Sequence, residues 1–235
     1  MEAVVLAGGL GTRLRSVVSE VPKPMALVAG RPFLEYVLDS LVARGFSKAV
    51  LAVGYRHEVI EKHFGSCYGG LEIEYSVEDS PLGTGGAIKA ALAKCTDEHV
   101  FAVNGDTYFV PDFDKMLSSA CENAADAVVA VKRMKDCSRY GTVLQQNGRV
   151  LQFREKQPIC NELINGGVYC IRRTALFNYP DCFSFEKDFL EKRVEDGKIF
   201  CIESDSLFTD IGIPQDYALA QQMFSGGAIP TEKEQ

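Results

Sequence analysis

The feature that most constrains this chain is the alternation of its first hundred residues, where short apolar runs rich in β-branched residues are each followed by a segment with helical spacing. Residues 3–7 are all apolar and read as a buried strand. Pro32 suits a first helical turn, and Phe33, Val37, Leu38 and Leu41 recur at helical spacing up to Gly45. Residues 48–54 predict a second buried strand and 58–64 a short helix. Residues 71–77 alternate apolar and acidic positions, so a third strand lies nearer an edge. Gly83-Thr84-Gly85-Gly86 leads into an alanine-rich helix, and residues 100–103 form a fourth strand ending at Asn104-Gly105-Asp106. This order requires right-handed crossovers. It predicts an α/β fold, a Rossmann-like three-layer sandwich with a mostly parallel central sheet and helices on both faces.

The second half changes character. Residues 126–132 read as a strand entered from a helix around 116–122. Residues 142–144 and 150–153 flank Asn147-Gly148, a strong two-residue hairpin signal. Residues 163–171 form another strand, with Asn165-Gly166-Gly167 inside it. Ser184 is a fitting N-cap for a helix to about Glu195. Residues 199–202 and 207–210 are short strands, and Pro214 opens a last helix to about Phe224. One domain over residues 1–225, a polar tail over 226–235, and one sheet shared by the glycine-rich half and the hairpin-containing half are expected, with the ligand cleft between the halves.

A net charge of −7 over 235 residues argues against nucleic-acid and anionic-membrane partners, so an anionic substrate needs a local basic site. No apolar stretch is long enough to span a bilayer, and the N-terminus opens directly on a strand, so a signal peptide is not expected. Eight scattered cysteines without a Cys-x-x-Cys pair, and three histidines without metal-ligand spacing, favour a reduced, cytoplasmic protein.

The first strand runs straight into Gly8-Gly9-Leu10-Gly11-Thr12-Arg13. Glycines there allow a sharp turn and close approach of a ligand. The exposed amides, with Thr12 and Arg13, make an anion cradle, and Lys23 in Pro22-Lys23-Pro24 adds a second positive charge. This is neither a Walker loop, which needs Gly-Lys-Ser/Thr after four spacers, nor a dinucleotide fingerprint. The fingerprint needs glycine where Leu14 stands and an acidic residue where the second strand ends in Gly54-Tyr55.

Two aspartates follow apolar strands: Asp106, after Phe101-Ala102-Val103-Asn104-Gly105, and Asp210, after Leu207-Phe208-Thr209. Ligands of open α/β sheets lie outside the carboxyl ends of strands, so both are read as strand ends on the same sheet edge. Mg²⁺ is held by one or two carboxylates with water and substrate phosphate, which suits such a pair. Phe153-Arg154-Glu155-Lys156 ends the hairpin's return strand with an acceptor and a cation. Asn165-Gly166-Gly167 and Tyr140-Gly141 read as places of close ligand approach, a bulge being the alternative.

Taken in order, Leu-Ala-Gly-Gly-x-Gly-Thr-Arg-Leu, Lys-Pro, Leu-Gly-Thr-Gly-Gly-Ala, Asn-Gly-Asp, Glu-Lys, Asn-Gly-Gly-Val-Tyr and Asp-Ile-Gly-x-Pro resemble the motifs of the sugar-1-phosphate nucleotidyltransferases over residues 2–224. The resemblance implies that Leu6, Ala7, Gly8, Gly9, Gly11, Thr12, Gly83 and Thr84 hold the nucleotide and that Arg13 and Lys23 grip its triphosphate. It further implies that Asp106 and Asp210 bind Mg²⁺, and that Tyr140, Gly141, Glu155, Lys156, Asn165 and Gly166 hold the sugar phosphate. Arg13, Lys23 and Asp106 would be the catalytic residues. The substrates would be a nucleoside triphosphate and a sugar 1-phosphate; a homodimer is one option for the oligomeric state. Ile213 replaces the usual threonine and Phe208 a frequent tryptophan, both beside the sugar site. The C-terminal β-helix of some members is not expected here.

Glu78, four residues before Leu82-Gly83, speaks to the base. Relatives using uridine or thymidine nucleotides resemble one another in having glutamine there. A carboxylate only accepts, which matches guanine N1–H and N2–H₂ and favours GTP. Within the family the compact chain is most similar to D-glycero-α-D-manno-heptose 1-phosphate guanylyltransferases. Mannose-1-phosphate guanylyltransferase, a uridylyl or thymidylyl transferase, and a catalytically inactive nucleotide-sugar sensor are the alternatives.

Overall fold

The computed structural model of the chain describes residues 1–9, 21–155 and 161–225. Its first half runs through β1 (Glu2–Leu6), the short β2 (Leu27–Val28) and β3 (Arg31–Pro32), α1 (Phe33–Ala43), β4 (Lys48–Val53), α2 (His57–Phe64), β5 (Cys67–Tyr68), β6 (Leu71–Val77), α3 (Gly83–Leu92), β7 (His99–Asn104) and β8 (Thr107–Phe109). Then come α4 (Phe113–Glu122), β9 (Ala127–Met134), β10 (Thr142–Gln146), β11 (Arg149–Arg154) and β12 (Glu162–Arg172). A π-helical turn (Phe185–Leu190) continues into α5 (Glu191–Arg193), and β13 (Ile199–Glu203), β14 (Phe208–Asp210) and α6 (Pro214–Phe224) close the chain.

Period-two alternation sorts the apolar strand residues onto two faces. Ala3, Val5, Leu51, Phe101 and Val128 pack with Phe33, Ile60, Met116 and Phe224 of α1, α2, α4 and α6. Val4, Val50, Ala102 and Val129 pack with Ile88 and Leu92 of α3 and with Phe185 and Phe189 of the π-helical turn. Helices therefore cover both faces, giving the three layers expected.

Among the described residues the central sheet has the order β10-β11-β13-β9-β12-β7-β1-β4-β6-β5. It is mixed, which corrects the expectation of a mostly parallel sheet. The pairs β1–β4, β1–β7, β4–β6 and β9–β13 are parallel. In contrast, β12 is antiparallel to both β7 and β9, and β10 is antiparallel to β11 and β12. Together with the single β11–β13 pairing, Arg149 with Phe200, these contacts close β10, β11, β13, β9 and β12 into a five-stranded ring. The hairpin forms as its Asn147-Gly148 pair predicts: both residues have positive φ, 52° and 79°, which suits a tight turn matching the strand twist.

One correction bears directly on the site. Asp210 does not end a strand of the central sheet. It ends β14, which among the described residues pairs only with β8 in a two-stranded ribbon, with Asp210 opposite Thr107. The ribbon follows directly from the turn at Asp106. It brings the two aspartates together by a route that neither strand end reveals alone.

Candidate active site

Lys23 is held by its prolines. Pro22 caps a 3₁₀ turn, Lys23–Met25, in which Met25 N donates to Pro22 O at 2.8 Å and Ala26 N donates to Lys23 O at 3.0 Å. Pro24 and Met25 are buried beneath, so the turn is anchored and the lysine projects from it. Its Nζ donates to Asp106 Oδ2 in an ion pair whose lysine side chain is only 11% exposed.

Asp106 sits where β7 reverses into β8. Gly105 makes the reversal: its N donates to Leu6 O at 2.9 Å, and a Cβ there would meet that same oxygen at 2.8 Å. Asp106 O accepts from Ile211 N at 3.0 Å, fastening the turn to the segment after Asp210. Asp210 is oriented on both oxygens. Its Oδ1 accepts from Gly212 N and its Oδ2 from the Tyr140 hydroxyl, each at 2.7 Å. Burial first, and the Asp210 carboxylate second, push the Tyr140 phenol upward, so it stays a proton donor at neutral pH.

Two cavities meet at this point. The larger, about 700 Å³, is lined by Leu6, Gly8, Gly9, Lys23, Tyr55, Glu78, Gly83, Thr84, Asn104, Asp106 and Glu186, among others. The smaller, about 400 Å³, includes Arg139, Tyr140, Asn165, Gly166, Phe208, Asp210 and Asp216. Lys23, Asn104 and Asp106 line both. Volumes of about 300–1,000 Å³ are usual for small-molecule sites.

In the larger cavity, Gly8 lies against the end of β4. A Cβ on it would meet Glu78 Oε1 at 3.0 Å and Gly54 N at 3.2 Å. Glu78 follows β6 directly and is half-buried; its N donates to Val53 O at 2.8 Å, and its Oε2 accepts from Leu82 N at 3.1 Å. The glycines of the next turn serve packing. Gly83 has φ +72°, and a Cβ there would lie 2.5 Å from Phe183 O; Cβ atoms on Gly85 and Gly86 would collide with the Phe183 ring and with Asp181 O. Thr84 Oγ1 donates to Glu186 Oε2 and accepts from Phe185 N, both at 3.0 Å, tying α3 to the π-helical turn.

In the smaller cavity, Asn165-Gly166-Gly167 is a bulge. Four residue steps of β12, from Asn165 to Tyr169, oppose two of β9, from Val131 to Val129. Asn165 stabilises it: Oδ1 accepts from Gly167 N and Nδ2 donates to the Tyr169 hydroxyl, each at 3.0 Å. Gly166 lies against the Phe109 ring and Gly167, at φ +72°, against the Asn104 amide; neither leaves room for a Cβ.

The structure thus brings together Leu6, Gly8, Gly9, Lys23, Glu78, Gly83, Thr84 and Asp106 around one cavity, and Tyr140, Asn165, Gly166 and Asp210 around the other. Ala7 is buried beside them, its N donating to Ala52 O at 2.8 Å. Gly141 and Glu155 line neither cavity; Glu155 is 72% exposed and pairs with Lys187 at 2.9 Å. Gly11, Thr12, Arg13 and Lys156, like the 226–235 tail, lie outside the described residues. The sequence reading passed over Tyr55, Asn104, Arg139, Glu186 and Asp216. Asn104 carried a signal, since it opens the Asn-Gly-Asp motif; the others become visible only when the chain is folded.

A sequence model of the family described as nucleotidyl transferase matches residues 2–225. The chain belongs to the nucleotidyl transferase family. It is 49% identical over 225 residues, 94% of this chain and 97% of the relative, to the D-glycero-alpha-D-manno-heptose 1-phosphate guanylyltransferase of Aneurinibacillus thermoaerophilus. It is 40% identical to the enzyme of the same name from Campylobacter jejuni, over 92% of this chain and 97% of that one. The crystal structure of HddC from Yersinia pseudotuberculosis complexed with GMP-PN superposes with a TM-score of 0.85 at 34% identity, covering 95% of this chain and 99% of that chain. As a nucleotidyl transferase the chain is an enzyme. Among the described residues no helix is long and apolar enough to cross a membrane, and seven cysteines are free.

Proposed function

We propose that residues 1–225 transfer the guanylyl group of GTP to D-glycero-α-D-manno-heptose 1-phosphate, releasing pyrophosphate. The observation that carries this reading is the junction of two cavities on Lys23, Asn104 and Asp106. A nucleotide in the larger cavity and a sugar 1-phosphate in the smaller would present their phosphates to each other there. The names of the relatives favour the guanylyl group and the heptose, and an acceptor-only carboxylate at Glu78 agrees with guanine.

The reaction is in-line attack of a sugar-phosphate oxygen on the α-phosphorus. A phosphate monoester is already ionised at neutral pH, so no general base is required, and no histidine lines either cavity. What the protein supplies is positioning and charge neutralisation. Lys23 neutralises phosphate at the junction, and the family resemblance adds Arg13 and Lys156 as further cations. Gly8 and Gly9 admit the nucleotide close to the backbone at the end of β1, and Gly83 holds the turn beneath the base. Asn165 and Gly166 shape the sugar-phosphate side, and Tyr140 fixes Asp210.

Asp106 and Asp210 are an oxygen-only pair joined through the Asp106 O to Ile211 N bond, and such a donor set fits Mg²⁺ with water and phosphate as its other ligands. Bound there, the ion would offset phosphate charge as the transition state forms. Lys23 Nζ pairs with the same Asp106 carboxylate.

The test is a grid of the four ribonucleoside triphosphates and dTTP against several sugar 1-phosphates, read as pyrophosphate release. GTP with the heptose 1-phosphate should give the highest kcat/KM. A clear preference for UTP or dTTP would refute the assignment of the base, and absence of any turnover would leave a binding protein.

A further inference from the structure

Arg139 and Asp216 meet at the wall of the smaller cavity, from elements far apart in the chain. Arg139 lies in the loop after β9, immediately before Tyr140; Asp216 is in the first turn of α6, six residues after Asp210. Arg139 Nη1 donates to Asp216 Oδ2 at 2.6 Å and Nη2 to Oδ1 at 2.9 Å, a two-pronged pair. The Arg139 guanidinium also lies 5.5 Å from the centre of the Tyr140 ring, with Nη2 3.4 Å from the Tyr140 hydroxyl. That hydroxyl donates to Asp210 Oδ2 at 2.7 Å, and the Tyr140 ring meets Phe208 edge-on, with centroids 5.5 Å apart.

The four residues thus form one circuit. Asp210 leads along the chain into α6 and Asp216; Asp216 holds Arg139; Arg139 carries Tyr140; and Tyr140 returns to Asp210. Among the described residues the loop's backbone is tied at its start, where Asn161 N donates to Lys135 O at 3.3 Å, and around Tyr140 by two bonds. Tyr140 N donates to Cys137 O at 3.0 Å, within the loop itself, and Asn165 N reaches Gly141 O at 3.1 Å. The Arg139–Asp216 pair is therefore a strong tie between the loop that presents Tyr140 and the helix that follows Asp210. Its two prongs fix orientation as well as distance, which a single hydrogen bond does not. An arginine already neutralised by its own carboxylate is also a poor general phosphate grip.

We propose that Arg139 and Asp216 are positioning residues: their ion pair latches the loop over the smaller cavity so that the Tyr140 hydroxyl stays on Asp210. This rests on the reading of that cavity as the sugar-phosphate site. When the latch is broken, Tyr140 leaves Asp210 and the site loses its preformed geometry, while the nucleotide cavity, which neither residue lines, is unaffected.

The experiment is a double-mutant cycle on the whole chain with R139A, Y140F and R139A/Y140F, measuring KM for each substrate and kcat. R139A should raise KM for the sugar 1-phosphate about tenfold and leave KM for the nucleotide within about twofold. Because Arg139 acts through Tyr140, adding R139A to Y140F should cost little beyond Y140F alone. D216A should copy R139A, and R139K, which keeps the charge but not the fork, should recover only part of the loss. Multiplicative effects in the cycle would overturn the latch and make Arg139 a direct substrate contact. Equal losses for both substrates, or a fall in melting temperature with no change in KM, would reduce the pair to a stability element. A wild-type chain with no sugar-phosphate activity would instead refute the reading of the cavity, a failure distinct from wild-type turnover with indifferent variants.

Discussion

The two cavities are built in opposite ways. The larger is formed by the ends of parallel strands and the glycine turns beside them. Its base end keeps an acceptor turned toward the space: among the described residues Glu78 Oε2 is taken by Leu82 N, while Oε1 lies over Gly8 with no hydrogen-bond partner of its own. The smaller is formed by a bulge, a two-stranded ribbon and a loop, and its polar groups are largely satisfied by one another. Asp210 holds Tyr140 and Gly212, Asp216 holds Arg139, and Asn165 holds Gly167 and Tyr169. An open set of acceptors can take up a ligand's donors directly. A saturated set fixes shape first and binds through its remaining lone pairs and protons, so its substitutions should propagate from one residue to the next.

The sharpest way to break that contrast is at the shared wall, where a change should harm both substrates at once. Asp106→Asn removes the carboxylate that faces both cavities and holds Lys23. Turnover should fall by about a thousandfold, with Mg²⁺ dependence weakened. Lys23→Ala should fall by about a hundredfold, since one of several cations is lost. Steady-state kinetics with each substrate varied in turn is the measurement. An Asp106→Asn enzyme retaining more than about a tenth of its activity would separate the junction from the chemistry.

A smaller effect, confined to the open cavity, is expected at Glu78. Leu82 N–H needs an acceptor, so in Glu78→Gln the amide oxygen should turn toward Leu82 and the amide NH₂ toward Gly8 and the cavity. A donor would then face guanine's donors, at a cost of about 1.5–3 kcal/mol in GTP transition-state binding. UTP or dTTP, which offers a carbonyl acceptor, should lose little. The ratio of kcat/KM for GTP over UTP reads this directly, and an unchanged ratio would make Glu78 a cap for the turn 79–82 and nothing more.

Legibility follows the same division. The strands and helices around the larger cavity, and the hairpin at Asn147-Gly148, could be read because each is set by local periodicity or turn chemistry. Strand direction could not. β12 is as apolar as a parallel strand because it is buried on both faces, and burial on both faces does not specify which way its neighbours run. β14 was legible as a short strand over 207–210, but β8 and its pairing with β14 were not, because three residues on each side are too few for a period to register. The smaller site's key contacts join residues 70 and 77 positions apart, Tyr140 with Asp210 and Arg139 with Asp216. No spacing rule links them. The resemblance assigns Gly83 to the nucleotide, and folding adds a packing demand at 83, 85 and 86, since Phe183 and Asp181 occupy the space their side chains would need.

The smallest predicted effect tests whether Thr84 belongs to the ligand or to the wall. Its hydroxyl is engaged twice, donating to Glu186 Oε2 and accepting from Phe185 N. Thr84→Val keeps the shape and removes both bonds. Water can reach part of this edge, since the hydrogen bond to Glu186 is exposed, so the loss should be about 1 kcal/mol rather than the full penalty of a buried unpaired amide. For a chain of this size that corresponds to a fall in melting temperature of about 2–4 °C. If the hydroxyl only ties α3 to the π-helical turn, KM for GTP should move by less than about threefold, through a slight loosening of the wall. If it touches the nucleotide, KM for GTP should rise well beyond that while the melting temperature holds. Measuring both on one preparation separates the cases, because the first lowers stability more than affinity and the second reverses the order.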